Sequence, residues 1–176
     1  MTKFKYIKDI LDSKGKKKNF LNENKYSNEY KLLGKSWSKL PLYEDEKKVK
    51  DFFKLLDEKQ VILLVSGTGS GKTVLVPKFV LKYVVSQKLE GKIAVTNPKS
   101  LTTKNNAIYG ASTLDVKLGE EVGYKFKGAP DDSSSDKSKF GKIKKIIIIS
   151  NLCIKNLTFT SPWNSLIYYF SYRYIE

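Results

Sequence analysis

The 176-residue chain has no histidine, a single cysteine and a single arginine. The absence of histidine removes both the commonest general base and the commonest metal ligand in proteins. Because Cys153 is the only cysteine, a disulfide within the chain and a structural zinc site are both excluded. A lone cysteine is typically a small buried apolar residue, and its isolation favours the cytoplasm or another reducing intracellular compartment.

Positive charge is abundant but is carried almost entirely by lysine. The net charge is +15, and Arg173 is the only arginine. Such a balance is compatible with a nucleic-acid partner. Lysine, asparagine, isoleucine and tyrosine are abundant together, however, as in proteins encoded by A/T-rich genes, so part of the excess belongs to an ordinary solvated surface. No apolar run is long enough to cross a bilayer, and we expect no membrane partner.

A glycine-rich segment lies between an apolar run and a helical pattern. Residues 61–65 are continuously apolar, which predicts a central parallel strand. Residues 67–73 read Gly-Thr-Gly-Ser-Gly-Lys-Thr, and the apolar spacing after them is that of an amphipathic helix. Strand, loop and helix in this order indicate a P-loop, whose backbone cradles phosphate groups. The strict pattern has glycine where this chain has Ser66.

The P-loop interpretation gives these residues defined chemical roles. Unpaired amides at a helix start, together with the positive end of the helix dipole, attract a triphosphate. Lys72 would contact the β- and γ-phosphates, and the Thr73 hydroxyl would be a ligand of Mg²⁺. The residues expected to bind the nucleotide are Ser66, Gly67, Thr68, Gly69, Ser70, Gly71, Lys72 and Thr73. The alternative is a glycine-rich turn that binds nothing.

Composition and periodicity divide the chain into three parts. Residues 1–39 are rich in lysine and asparagine and are expected to form a flexible basic arm. Residues 40–139 have the pattern of an incomplete α/β domain with a parallel sheet. Its expected elements, besides the P-loop and its helix, are helices at 44–59 and 101–114, strands at 92–96 and 121–127, and a loop at 129–139. Residues 140–176 are an atypical tail.

Four segments in residues 40–139 follow one another in a recognisable order. They are Leu40-Pro41-Leu42-Tyr43, residues 68–73 followed by Pro77, Thr96-Asn97-Pro98-Lys99, and residues 118–124. Together they resemble the DEAH-type RNA helicases of superfamily 2. The resemblance implies a RecA-like domain that binds ATP and Mg²⁺, with Thr96 and Lys99 against the nucleic-acid backbone. Without its neighbours, the segment at 96–99 would be read as an ordinary turn after a strand.

The family pattern is missing after residue 139. Without histidine, the Asp-Glu-Ala-His box cannot occur, and the apolar strand at 146–149 ends in Ser150-Asn151, which supplies no carboxylate for Mg²⁺. We therefore expect a chain that binds ATP but does not hydrolyse it or unwind RNA alone, unless a second chain supplies the missing motifs.

Other interpretations remain open from the residues. One is a nucleotide- or RNA-binding module without hydrolysis, and another is a gene remnant in which a frameshift near Lys139 produced the tail. The aromatic run at 166–174 would instead be a real strand if the tail is folded. A small P-loop kinase is disfavoured because such enzymes surround the transferred phosphate with several arginines.

Overall fold

The computed structural model describes residues 17–59, 62–89, 92–97, 99–128, 145–150 and 167–168. The chain divides into two compact units, Met1–Gln87 and Lys88–Glu176. The described part of the first unit is helical, whereas that of the second combines a parallel sheet with a helix. The chain is therefore a mixed α/β protein, as the sequence pattern predicts. Within the described ranges, no helix has the length and apolar character needed to cross a membrane.

The first helix of the described residues lies in the region that the sequence pattern assigns to a flexible arm. Helix α1 spans Asn28–Trp37, and the Ser27 hydroxyl caps it by accepting the Tyr30 N–H at 3.0 Å. Tyr30 and Trp37 are buried, and the Tyr26 ring stacks on the Tyr30 ring with centroids 4.3 Å apart. The structure thus differs from the expected flexible arm in this region. An N-cap and buried aromatic rings stabilise a helix that the lysine-rich composition does not indicate.

Three further helices follow in the first unit: α2 (Pro41–Glu44), α3 (Glu46–Glu58) and α4 (Lys72–Ser86). The Asp45 carboxylate caps α3 by accepting the Lys48 N–H at 3.0 Å. The apolar face predicted for α3 is buried, and it consists of Val49, Phe52, Phe53 and Leu56. The ring centroids of Phe52 and Phe53 lie 6.2 and 6.0 Å from that of Phe79, so aromatic contacts join α3 to α4.

The structure corrects the prediction of a central strand at residues 61–65. Residues 62–66 have no regular secondary structure, and none of the residues described pairs with them in a sheet. Leu63 and Val65 are 88% and 78% exposed, whereas Ile62 and Leu64 are half-buried. A strand is held by hydrogen bonds to a neighbouring strand, so an apolar run without such a neighbour remains irregular.

The described residues of the second unit form the sheet and one helix. The strands are β1 (Lys92–Asn97), β2 (Val122–Lys125), β3 (Lys145–Ser150) and β4 (Ile167–Tyr168). Their order is β2-β3-β1-β4, and every neighbouring pair is parallel. Helix α5 (Ser100–Ser112) lies against the first three strands. The predicted order of strand, helix and strand over residues 92–127 is therefore confirmed.

Strand β3 lies inside the stretch that the sequence pattern assigns to an atypical tail. It pairs with β1 on one side and β2 on the other, while β4 pairs with β1. A strand with hydrogen-bonded neighbours on both sides is an interior part of its sheet. The boundary at residue 139 stays a prediction, and the loop predicted at 129–139 lies outside the described residues.

A buried lysine lies in the helix that follows the glycine-rich loop. Lys78 on α4 is 9% exposed, and its Nζ donates to the Val74 carbonyl at 3.0 Å. The same Nζ lies 5.3 Å from the centroid of the Trp37 ring, within the range of a cation–π contact. Burial lowers the pKa of Lys78 from 10.5 to about 7, because an ammonium ion loses hydration in this position.

We predict that Lys78→Met stabilises the protein at pH 7 by about 1–3 kcal/mol, because it removes a buried ionisable group. The unfolded chain binds the proton more tightly than the folded one, so wild-type stability should rise as pH increases from about 7 towards 10.5. The advantage of the variant should therefore shrink between pH 7 and pH 9.5 in urea denaturation. Lys47→Met, at an exposed position of α3, is the control, and an equal effect of the two variants would contradict the prediction.

The segment that begins α2 packs directly against the glycine-rich loop. The Leu42 N–H donates to the Ser70 carbonyl at 3.0 Å. Gly71 has φ of +94°, and a methyl group added there would lie 2.6 Å from Leu40 Cδ1 and 2.9 Å from Leu40 Cβ. Both its backbone conformation and the close approach of Leu40 therefore require glycine. The segment at 40–43 and the loop, which are separate blocks in the sequence, form one packed structure.

We expect Gly71→Ala to destabilise the protein by about 2–4 kcal/mol, because left-handed strain adds to the clash with Leu40. The matched control is Gly67→Ala, at a position where an added methyl group meets nothing within 4 Å. That variant should remain within about 0.5 kcal/mol of wild type. Chemical denaturation of the three proteins measures both effects, and equal stability of the two variants would rule out this account of Gly71.

Candidate functional site

The glycine-rich loop turns sharply into the start of α4. Gly69 and Gly71 have φ of +76° and +94°, in the left-handed region that glycine enters without steric cost. Gly71 is the N-cap of the 15-residue helix that begins at Lys72. The first turn of this helix contains no acidic residue, so no carboxylate of that turn offsets the positive end of the helix dipole. The local geometry suits an anion.

Backbone amides of the loop are available to such an anion. Ser70 N–H donates to the Gly67 carbonyl at 3.4 Å, and the amides of Val74 and Leu75 donate to the Gly71 carbonyl. In the part of the chain that the structure describes, no protein acceptor lies within hydrogen-bond distance of the amides of Thr68, Gly69, Gly71, Lys72 and Thr73. Space is open around Gly67 and Gly69, where an added methyl group would meet nothing within 4 Å. Unpaired amides in succession form the nest that binds phosphate oxygens.

The Lys72 side chain folds back onto the beginning of the loop. Its Nζ donates to the carbonyls of Ser66 and Gly67 at 2.5 and 2.8 Å. The hydroxyl oxygen of Ser70 lies 3.4 Å from the same nitrogen. The Lys72 side chain therefore bridges the two ends of the loop, and its ammonium lies at the carbonyls of Ser66 and Gly67.

Two hydroxyl groups of the loop also contact each other, and a third is exposed. The Oγ atoms of Ser66 and Ser70 are 2.7 Å apart, and either hydroxyl can donate. Thr73, the predicted ligand of Mg²⁺, is exposed at the first turn of α4. All eight residues predicted to bind the nucleotide thus lie in one continuous turn, and the role of Thr73 towards Mg²⁺ stays a prediction.

The two residues predicted to contact nucleic acid lie in the second unit. Thr96, near the end of β1, is 2% exposed, so its side chain belongs to the interior. Lys99 is exposed and is the N-cap residue of α5, where no side chain caps the helix. The Lys99 carbonyl accepts the Thr103 hydroxyl at 2.9 Å. Of the pair, Lys99 presents its charge to solvent at a helix start.

Sequence reasoning missed an asparagine pair beside Lys99. The Asn106 Nδ2 donates to Asn97 Oδ1 at 3.1 Å, and the Asn97 side chain is 1% exposed. In the described structure, Asn97 Nδ2 has no acceptor within hydrogen-bond distance. The signal was present in the sequence, because Asn97 directly follows the apolar strand pattern. Polar residues at the carboxyl end of a parallel strand commonly line binding sites.

Comparison with known proteins identifies the family of the matched segment. No family model matches the chain. The chain is 40% identical over 142 residues to a protein of Acanthamoeba polyphaga mimivirus named as an ATP-dependent RNA helicase. It is 32% identical over 115 residues to a protein named as the ATP-dependent RNA helicase DHR2 of Saccharomyces cerevisiae. It is 36% identical, also over 115 residues, to the ATP-dependent RNA helicase HrpA of Borreliella burgdorferi.

These matches cover 81%, 65% and 65% of this chain, respectively. They cover 19%, 15% and 13% of the three relatives, so the chain spans about a fifth of their length or less. The similarity that the motifs indicate is thus confirmed for most of the chain. Over the matched residues the chain is similar to three proteins named as ATP-dependent RNA helicases, and it corresponds to one segment of them.

Proposed function

We propose that this chain binds Mg·ATP through residues 66–73, as the ATP-binding segment of a RecA-like RNA helicase domain. The unpaired amides around Gly69 and at the start of α4, in the same loop as the Lys72 ammonium, are the observation that carries the proposal. These donors suit the β- and γ-phosphates of a nucleoside triphosphate. The names of the relatives, all ATP-dependent helicases, favour ATP as the nucleotide.

Magnesium would be held partly by Thr73 and partly by the phosphates. The Thr73 hydroxyl is exposed at the helix start, where a P-loop threonine is a ligand of the ion. Mg²⁺, when bound, neutralises part of the charge of the phosphate oxygens. The chain's own residues hold the triphosphate by amide donors and position Lys72 beside it.

RNA is the proposed second ligand, bound in part by the second unit. Lys99 is exposed at the uncapped start of α5, and no acidic residue lies in the first turn of that helix. A phosphate group of the RNA backbone suits both the lysine and the helix dipole. The net charge of +15 favours the same partner. The RNA helicase names of the relatives support this assignment.

Binding without hydrolysis is the second candidate function, and the end of β3 favours it. This strand runs parallel to β1 and ends at Ser150, whose hydroxyl cannot replace the carboxylate that holds Mg²⁺ in P-loop hydrolases. We therefore propose that this polypeptide binds ATP with little turnover of its own. A second chain that supplies carboxylates and a cation would convert it into an ATPase.

We predict that Lys72→Ala weakens Mg·ATP binding by about 30-fold or more, because it removes a charged donor to the phosphates. Isothermal titration calorimetry measures the affinity, and Lys47→Ala, an exposed lysine of α3, should bind like wild type. ATP turnover by wild type should not exceed that of Lys72→Ala. Absence of binding by wild type would refute ATP binding, and turnover that is lost only in Lys72→Ala would refute binding without hydrolysis.

Lys99→Ala should weaken binding to single-stranded RNA by about three- to tenfold at low salt. The plot of log affinity against log salt concentration should also become shallower by about 0.7, the effect of losing one phosphate contact. Lys127→Ala removes the same charge from an exposed position after β2 and should leave the slope unchanged. Fluorescence anisotropy at four salt concentrations measures both quantities, and identical slopes for the two variants would refute a specific contact by Lys99.

A further inference from the structure

The contact between the hydroxyls of Ser66 and Ser70 has no part in the phosphate-binding chemistry described above. The two oxygens are 2.7 Å apart, near the optimum for a hydrogen bond between hydroxyl groups. Ser70 is 7% exposed and Ser66 is half-buried, so water competes weakly for this bond. Ser66 stands where the strict P-loop pattern has glycine, which has no side chain to make such a bond.

The same two serines hold the Lys72 side chain. A lysine ammonium has three N–H donors. The three oxygens around Lys72 Nζ are the Ser66 carbonyl at 2.5 Å, the Gly67 carbonyl at 2.8 Å and the Ser70 hydroxyl at 3.4 Å. To donate to a phosphate oxygen, the ammonium must give up at least one of these partners. The cost of that exchange depends on how firmly the two ends of the loop are held together.

The hydroxyl bond links those two ends. Ser66 lies before the first glycine of the loop, and Ser70 lies two residues before Lys72. The Ser70 carbonyl is anchored by the Leu42 N–H at 3.0 Å, so this end of the loop is fixed to α2. Through its side chain, Ser66 is therefore tied to the anchored end, and its carbonyl is kept in reach of Lys72.

We propose that the Ser66–Ser70 hydroxyl pair is a latch that holds Lys72 on the loop backbone and lowers the affinity for Mg·ATP. This inference rests on the proposed function, in which the loop binds the triphosphate. Ser66 acts here as a positioning residue, since it works through Ser70 and Lys72. A phosphate group competes with the Ser66 and Gly67 carbonyls for the ammonium, and the latch favours the carbonyls.

Calorimetric titration with Mg·ATP tests the latch in five proteins: wild type, Ser66→Ala, Ser66→Thr, Ser70→Ala and the double alanine variant. Ser66→Ala and Ser70→Ala should each bind about three- to tenfold more tightly, the equivalent of one neutral hydrogen bond. The double variant should bind no more tightly than either single one, because both remove the same bond. Ser66→Thr keeps a hydroxyl at the same position, so it should bind less tightly than Ser66→Ala and reverse most of the gain in affinity.

Unchanged or weaker binding by Ser66→Ala would overturn the latch, and so would additive effects in the double variant. Amide hydrogen exchange of residues 67–71 without nucleotide supplies an independent reading. Exchange should be about three- to tenfold faster in Ser66→Ala than in wild type or Ser66→Thr, with exchange in α3 equal in all three. If wild type binds no Mg·ATP, the proposed function fails, and equal loop exchange in Ser66→Ala and wild type overturns the latch separately.

Discussion

The close packing of Leu40 against Gly71 is the constraint on which the candidate nucleotide site depends. Gly71 turns the chain in a left-handed conformation, and α4 begins directly after this turn at Lys72. A side chain at this position would collide with Leu40. The bond from Leu42 to the Ser70 carbonyl fixes the same turn from outside the loop. The glycine turn therefore depends on a segment that precedes it by about thirty residues.

Helix α4 links this turn to the rest of the first unit. Its Phe79 lies among the aromatic rings of α3, and its Lys78 lies over the Trp37 ring of α1. A lysine kept in such a place opposes stability at neutral pH, because burial disfavours its charge. The aromatic contacts and the bond to the Val74 carbonyl offset part of this cost. A helix held on two sides provides a rigid base for the phosphate-binding amides.

The loop combines unpaired amides, which suit a phosphate group, with oxygen atoms that occupy its lysine. The unpaired amides need no rearrangement to accept an anion, whereas Lys72 already has three oxygen partners. Affinity for a triphosphate is then a balance between new charged hydrogen bonds and the bonds given up. Under the proposed latch, the serine at position 66 would shift that balance towards the bonds within the loop.

The sequence by itself determined that a helix begins directly after the glycine-rich residues 67–71, the buried face of α3 and the order of β1, α5 and β2. These features depend on the identity and spacing of neighbouring residues, which local backbone geometry translates directly. Tertiary structure alone decided that Leu40 closes on Gly71, that β3 lies inside the sheet and that residues 62–66 remain irregular. Strand pairing and side-chain contact join residues far apart in the chain. Sequence periodicity shows only which face of a helix or strand is apolar. It therefore does not indicate which other helix or strand packs against that face.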